Sequence, residues 1–256
     1  VVTKAAIRIY PINESIKVSI VAFDRFPDSI NFVKDVCRRN IAEHGIIWNR
    51  HLYKSYEIDF SPQNELLVPD MLYDDPRAED PGLPYNLVTV FMSGYQEDME
   101  VHEKVLERVS KANSGRVLPK EEIDRKISRA AQSWKLFYMD YHIPAMDQTK
   151  KYGLGRYLPW IVTAEPKDIV FIEKEAVQFL DDLKVRPICY YSMPFDYGRG
   201  MFFRIFSWVN PQDKELLARV GTLYQDMYKW AMKKYGATPF RHRRDPNILA
   251  LTGGYQ

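Results

Sequence analysis

ICYYSMPFDYGRGMFFRIFSWV, residues 188–209, decides the fold. Ile188 to Met193 and Met201 to Val209 are dense in β-branched and aromatic residues, the side chains that suit a pleated surface. Between them lies Asp196-Tyr197-Gly198-Arg199-Gly200, a turn-forming cluster, so the stretch reads as two antiparallel strands of one hairpin. The period of two puts Phe202, Arg204, Phe206 and Trp208 on one face of the second strand. On the first strand it puts Cys189 and Tyr191 on one face and Tyr190 on the other.

Upstream, Trp160 to Ala164 reads as a strand and Pro166 opens a helix with Ile169, Ile172, Ala176, Phe179, Leu180 and Leu183 inward. Downstream, Asn210 is the expected cap of a long helix with Pro211 at its first position. Its inner face is Leu216, Val220, Leu223, Met227 and Ala231, and Gly236 ends it. Ala237 to Arg241 is a short last strand. The first half repeats this alternation without sharing its sequence. Ile16 to Phe23 is a strand, Asp28 or Ser29 caps a helix through about Asn40, and Ile46 to Ile58 is an aromatic, extended stretch. Leu87 to Met92 is a strand, and Gln96 to Ala112 is an amphipathic helix. Residues 61–84 read as a loop, and 119–156 as an irregular connector. Helices alternating with hairpins point to an α+β fold, two ferredoxin-like units whose antiparallel sheet is covered on one face by helices.

A chain of 256 residues can bury a large core, and 46% hydrophobic with 27% charged residues is a globular composition. Thirty-six basic and 34 acidic residues leave no basic footprint, which argues against nucleic acid as a partner. No apolar run reaches the ~18 residues of a membrane span. Cys37 and Cys189 have no ligand or CxxC spacing and read as two buried thiols. The histidines show no metal-ligand spacing, and no GxGxxG or Walker motif is present. The opening VVTKAAIRIYP, residues 1–11, reads as a strand already under way, so further sequence is expected before it.

Arg204 is the sharpest chemical signal. A charge among aromatics is costly unless it meets a ligand pocket, an acid such as Glu173, or the face of Trp208. Tyr191 on the neighbouring strand is the natural hydroxyl beside it. Tyr141 and His142, in YMDYHIP, sit in the connector, where binding groups concentrate, and His142 could move a proton near neutral pH. Arg241 heads a basic run, Arg241 to Arg244, which reads equally as a solvated surface.

VVTKAAIRIYP, then GLGRYLPWIVTAEPKD (153–168), ICYYSMP (188–194), GMFFRIFSWVN (200–210) and KKYGATPFRHR (233–243) follow one another as in FAD-linked oxidases. Their order and spacing resemble the C-terminal domain of the vanillyl-alcohol oxidase and 4-cresol dehydrogenase (4-cresol methylhydroxylase flavoprotein) branch. The resemblance implies that residues 1–12 end an FAD-binding domain and that 13–118 and 157–256 are two ferredoxin-like units joined by 119–156. It implies FAD as cofactor and hydride transfer from an aromatic alcohol or 4-alkylphenol. The implied partners are an FAD-binding domain or subunit, a small aromatic substrate and a cytochrome or other electron acceptor. A homo-oligomer is expected, in the cytoplasm, or in the periplasm if a signal peptide precedes residue 1. Phe240-Arg241 falls where the family has the Tyr-Arg pair that holds the phenolate, which makes Arg241 an anchor and Phe240, Phe202 and Trp208 substrate-facing. Gly155 stands where vanillyl-alcohol oxidases carry the flavin-linking histidine, and Tyr157 is the nearby residue that could link instead. DPNILALTGGYQ (245–256) resembles the family's closing segment but follows FRHRR directly, where the family has an extended stretch. The alternatives are a non-catalytic subunit or ligand-binding module, and the cap of a flavoenzyme acting on a carboxylate such as a 2-hydroxy acid.

Overall fold

A computed structural model describes residues 15–42, 44–57, 84–127, 156–185, 188–209 and 213–240, without the side chains of 44, 54–57, 156–158 and 206–209. The first half contains β1 (Ser15–Phe23), α1 (Phe26–Arg38), β2 (His44–Asn49), α2 (Arg50–Glu57), β3 (Asn86–Gly94), α3 (Gln96–Ala112), β4 (Arg116–Val117) and α4 (Lys120–Lys126). The second contains β5 (Arg156–Ala164), α5 (Pro166–Asp182), β6 (Cys189–Phe195), β7 (Gly200–Val209), α6 (Lys214–Tyr235) and β8 (Thr238–Pro239). All strands join one antiparallel sheet in the order β4-β1-β3-β2-β6-β7-β5-β8. In each half the fourth strand lies outermost, beside the first, and the second lies at the middle of the sheet. Among the described residues the halves meet there through the β2–β6 ladder, which pairs Ile47 with Ser192 and Trp48 with Tyr191.

The period of two divides the sheet into two unlike faces. Val21, Phe23, Val88, Val90, Met92, Trp160, Val162, Tyr190, Phe203 and Ile205 face α1, α3, α5 and α6, and together they form the main core. Trp160, fully buried, lies 5.4 Å from the ring of Tyr228, whose hydroxyl accepts from the Ile161 N–H. On the other face, Ile20, Ala22, Ile46, Trp48, Leu87 and Phe91 pack under α2 and α4. The first half is therefore covered on both faces, where the sequence pattern predicts cover on one.

That difference begins at residue 49. The stretch 46–58 reads as extended because it is aromatic, but β2 ends at Asn49 and a helix follows. The Asn49 side chain accepts from the Leu52 N–H at 3.1 Å, satisfying one of the donors that a helix start leaves open. Leu52 and Tyr53 then turn inward together. Caps move elsewhere too. The last long helix starts at Lys214, and Asp213 caps it by accepting from Leu216 N–H at 2.9 Å, whereas Asn210 and Pro211 lie outside the described residues. α1 starts at Phe26 with Pro27 in its first turn, ahead of the expected caps Asp28 and Ser29; the Ser29 hydroxyl instead donates back to the Phe26 carbonyl. The connector contains a further short helix, α4, tied to β4 by Arg116 and Glu122 at 2.5 Å.

One polar cluster sits inside the main core. The Tyr190 hydroxyl donates to Asn86 Oδ1 at 3.1 Å and also bonds Glu173, which α5 places against it. Burial raises the Glu173 carboxyl to about 7, against a weaker pull downward from Tyr190. A protonated Glu173 can donate to the Tyr190 oxygen, which leaves the tyrosine proton for Asn86. Burial also pushes up both thiols, Cys37 to about 11 and Cys189 well above its ordinary value.

Glu173 gives a signed pH dependence. From its ordinary value of 4.5 up to about 7 the folded protein holds a proton that the unfolded chain has lost. Stability from this group is thus complete below the unfolded value and falls as pH rises through the folded one, each pH unit in the window costing about 1.4 kcal/mol. Glu173→Gln mimics the neutral acid. Its melting temperature, followed by circular dichroism from about pH 5 to about pH 8, should lose the part of the decline that the parent protein shows between those limits.

Candidate functional site

Beyond α2 and α4, the second face of the sheet carries an arginine in an aromatic surround. Tyr191 on β6 and Arg204 on β7 are directly opposed in the antiparallel register. Arg204 Nη1 donates to the Tyr191 hydroxyl oxygen at 3.0 Å, and its guanidinium carbon stands 5.6 Å from the Tyr191 ring centre. The contact is both a hydrogen bond and a cation–π interaction. Phe202, two residues earlier on the same face, stacks on Tyr191 at 5.7 Å. Phe240, just past β8, meets Phe202 edge-on at 5.1 Å and remains 38% exposed. Its backbone N–H donates to the Ile161 carbonyl at 3.0 Å, which holds the end of the described chain against β5.

The row through this pair crosses the middle of the sheet. Trp48 is paired with Tyr191, Tyr191 with Arg204, and Arg204 with Ile161. Trp48 belongs to the first half, is fully buried, and donates its indole N–H to the Thr89 hydroxyl at 3.0 Å. The phenol of Tyr191 is therefore braced by a rigid indole on one side and held by a guanidinium on the other. A half-buried cation with an adjacent hydroxyl among aromatic rings is a setting in which an anionic group on an apolar body can be met.

Four of the residues singled out in the sequence come together here: Arg204, Tyr191, Phe202 and Phe240. Glu173 is not the partner of Arg204; it lies across the sheet with Tyr190, on the face reached by odd-numbered β7 residues. The register sets Trp208 opposite Tyr157 at the far end of the β5–β7 ladder. Arg241, Tyr141 and His142 lie outside the described residues, as does Gly155. Among the described residues no group of three or more His, Cys, Asp or Glu converges to hold a metal ion. No helix among them is long and apolar enough to cross a membrane. Trp48 and Asn49 were not singled out. An asparagine closing an alternating run just before two paired apolar residues is the signal that marks the turn from strand to helix.

No family model matches the chain, and no curated protein matches it by sequence. Solved structures do. A 4-ethylphenol oxidase from Gulosibacter chungangensis, in complex with isoeugenol, matches over 94% of this chain and 47% of its own, with 11% identity and a TM-score of 0.66. A p-cresol methylhydroxylase with substrate bound matches over 89% and 45%, with 14% identity and a TM-score of 0.69. An alkyldihydroxyacetonephosphate synthase matches over 89% and 40%, with 14% identity and a TM-score of 0.55. The fold is shared. The chain spans about half the length of these proteins or less, and at such identities the likeness is one of architecture.

The two aromatic residues on the central row should respond differently to substitution. Tyr191→Phe removes the half-buried hydrogen bond from Arg204 and should cost about 0.5–1.5 kcal/mol. Trp48→Ala empties a fully enclosed site and should cost about 3–5 kcal/mol. Urea unfolding of the two variants measures the difference.

Proposed function

We propose that this chain is the substrate-side part of an FAD-linked oxidoreductase that oxidises a 4-alkylphenol or an aromatic alcohol by hydride transfer. The observation that carries the reading is the Arg204–Tyr191 pair, set among Phe202 and Phe240 on the face of the sheet that the four long helices leave uncovered. Two findings support it: the ordered motifs of the sequence, and the shared architecture with proteins whose names include a 4-ethylphenol oxidase and a p-cresol methylhydroxylase. In this reading each half, with its strand order fourth-first-third-second, is one ferredoxin-like unit, 13–118 and 157–256, joined by 119–156.

The residues here fit only part of FAD. The flat Tyr191–Phe202 surface beside a guanidinium suits a planar ring. The sequence has no glycine-rich phosphate cradle, so the nucleotide would be held by an FAD-binding domain or subunit, the partner we assign to this chain. When bound, FAD supplies the hydride acceptor. The chain's own contribution is to bind the phenol, orient its alkyl carbon and favour the ionised oxygen. Arg204 supplies the positive charge and Tyr191 a hydroxyl beside it. Phe202 and Phe240 take the aromatic body, Trp208 is assigned to the substrate side, and Arg241, one residue beyond Phe240, is the second candidate anchor. Tyr157 is the residue proposed to link or contact the flavin. Tyr141 and His142 are assigned to the substrate side as well.

The test uses the complete flavin-loaded protein. A 4-alkylphenol or aryl alcohol should bleach its yellow absorbance, and Arg204→Met should slow the bleaching by about 10²-fold or more, as expected for loss of a group that stabilises an oxyanion. Failure of every phenol and aryl alcohol to bleach the flavin would falsify the substrate reading. Inhibition by simple carboxylates and not by phenols would replace it with a carboxylate substrate, which an arginine serves equally well.

A further inference from the structure

We infer that Asn49 is a positioning residue for the Tyr191–Arg204 pair, although it lies in the other half of the chain. The pairing of β2 with β6 ends after Trp48 and Tyr191, because the backbone turns into α2 at Arg50. Beyond that point the edge of β6 still presents a carbonyl and an N–H. The Asn49 side chain takes both. Its Nδ2 donates to the Ile188 carbonyl at 2.9 Å, and its Oδ1 accepts from the Tyr190 N–H at 3.2 Å. An amide side chain carries a donor and an acceptor side by side, so it continues the ladder where the main chain departs. The same Oδ1 caps α2 through the Leu52 N–H.

Three backbone groups thus converge on one side chain that is 1% exposed. Two of them flank Cys189, on the stretch of backbone that leads directly into Tyr191. The third fixes α2, whose Leu52 and Tyr53 pack in the same cluster as Trp48 and Cys189, with Tyr191 against it. The Trp48 and Tyr53 rings meet edge-on at 5.4 Å. Asn49 therefore couples the strand of Tyr191 to the helix and indole that brace it. Without the clamp, β6 keeps its bonds to β7 but loses part of its hold on the first half, and the Tyr191 ring is free to drift with the hairpin. Removing a buried amide also leaves two β6 groups without their partners.

This inference rests on the phenol reading for its ligand but not for its geometry, and the experiment separates the two. The full protein is prepared with 3-fluorotyrosine, and the Tyr191 fluorine resonance is assigned by its loss in Tyr191→Phe. Its position in Arg204→Met defines the signal without the guanidinium. Asn49→Ser keeps a helix cap but is too short to reach β6. Asn49→Asp keeps both accepting contacts but turns a second oxygen toward the Ile188 carbonyl, so the clamp is lost at that end while the Tyr190 and Leu52 contacts remain. The serine variant should move the Tyr191 resonance toward its position in Arg204→Met, the aspartate variant less far. Binding of 4-ethylphenol should weaken in the same order, by about ten-fold for serine, as expected when a binding group is displaced by a fraction of an ångström. An unmoved Tyr191 resonance in folded Asn49→Ser overturns the inference and leaves Asn49 as a cap alone. If the serine variant does not fold, the aspartate variant decides by the same signal. If the parent protein does not bind 4-ethylphenol, the phenol reading fails and the fluorine shift still decides the role of Asn49.

Discussion

The join between β2 and β6 is the constraint on which the rest of the molecule depends. Each half could bury one face of its four strands under its own helices, but two residue pairs turn two sheets into one. The join adds few main-chain bonds, so its strength must come from side chains. Trp48 fills one face of it, Asn49 extends the ladder, and the Asn86–Tyr190–Glu173 cluster ties the other face to α5. The tip of the β6–β7 hairpin adds a further tie. Gly198, at φ 76°, rests on α1, where an added Cβ would stand 3.4 Å from the Cys37 Cβ and the Lys34 Cα. Asp196 and Tyr197 also lie in the left-handed region, a conformation that costs a non-glycine residue roughly 1 kcal/mol or more. Docking of the tip onto α1 holds them there.

Two buried polar systems flank the join, and they work differently. On the helix side, Glu173 is enclosed, and burial favours its neutral form, which makes the cluster an uncharged tie below about pH 7. On the other side, Arg204 keeps its charge at a half-buried position and shares it with a tyrosine hydroxyl. A cation kept at the protein boundary can still be met by a ligand, whereas a neutral acid in the core serves only the fold. The same pair of strands supplies both systems, through Tyr190 inward and Tyr191 outward. A slip of one residue in β6 would exchange them, which is why the register of this hairpin is under such tight packing control.

The strands and long helices were legible in the sequence because their apolar periods were strong. The 188–209 hairpin, the inner faces of α5 and α6, and the shared face of Arg204 and Phe202 all follow from spacing alone. What could not be read was set by single side chains acting on distant backbone. Asn49 looks like one more polar residue in an aromatic stretch until its partners at 188 and 190 are known, and they lie about 140 positions away. Asp213, and not the expected Asn210, caps α6 because its carboxylate reaches the Leu216 N–H. Glu173 was a candidate partner for Arg204 only while the face of α5 was open. Once α5 packs on Tyr190, the sheet itself separates the two.

In the proposed function a substrate hydroxyl would be met by the Arg204–Tyr191 pair. At Phe240 this chain lacks the tyrosine that the resembled family uses, which by itself argues against holding a phenolate. Tyr191 stands two aromatic contacts away, through Phe202, and already receives a guanidinium hydrogen bond. The pair sets a hydroxyl and a positive charge side by side. In the proposed reading the hydroxyl stands at the centre of the sheet and not on the last strand. Phe240 then contributes shape, closing the edge of Phe202. In the proposed reading the first half of the chain bears on binding as well as on stability, since Tyr191 sits one strand from Trp48.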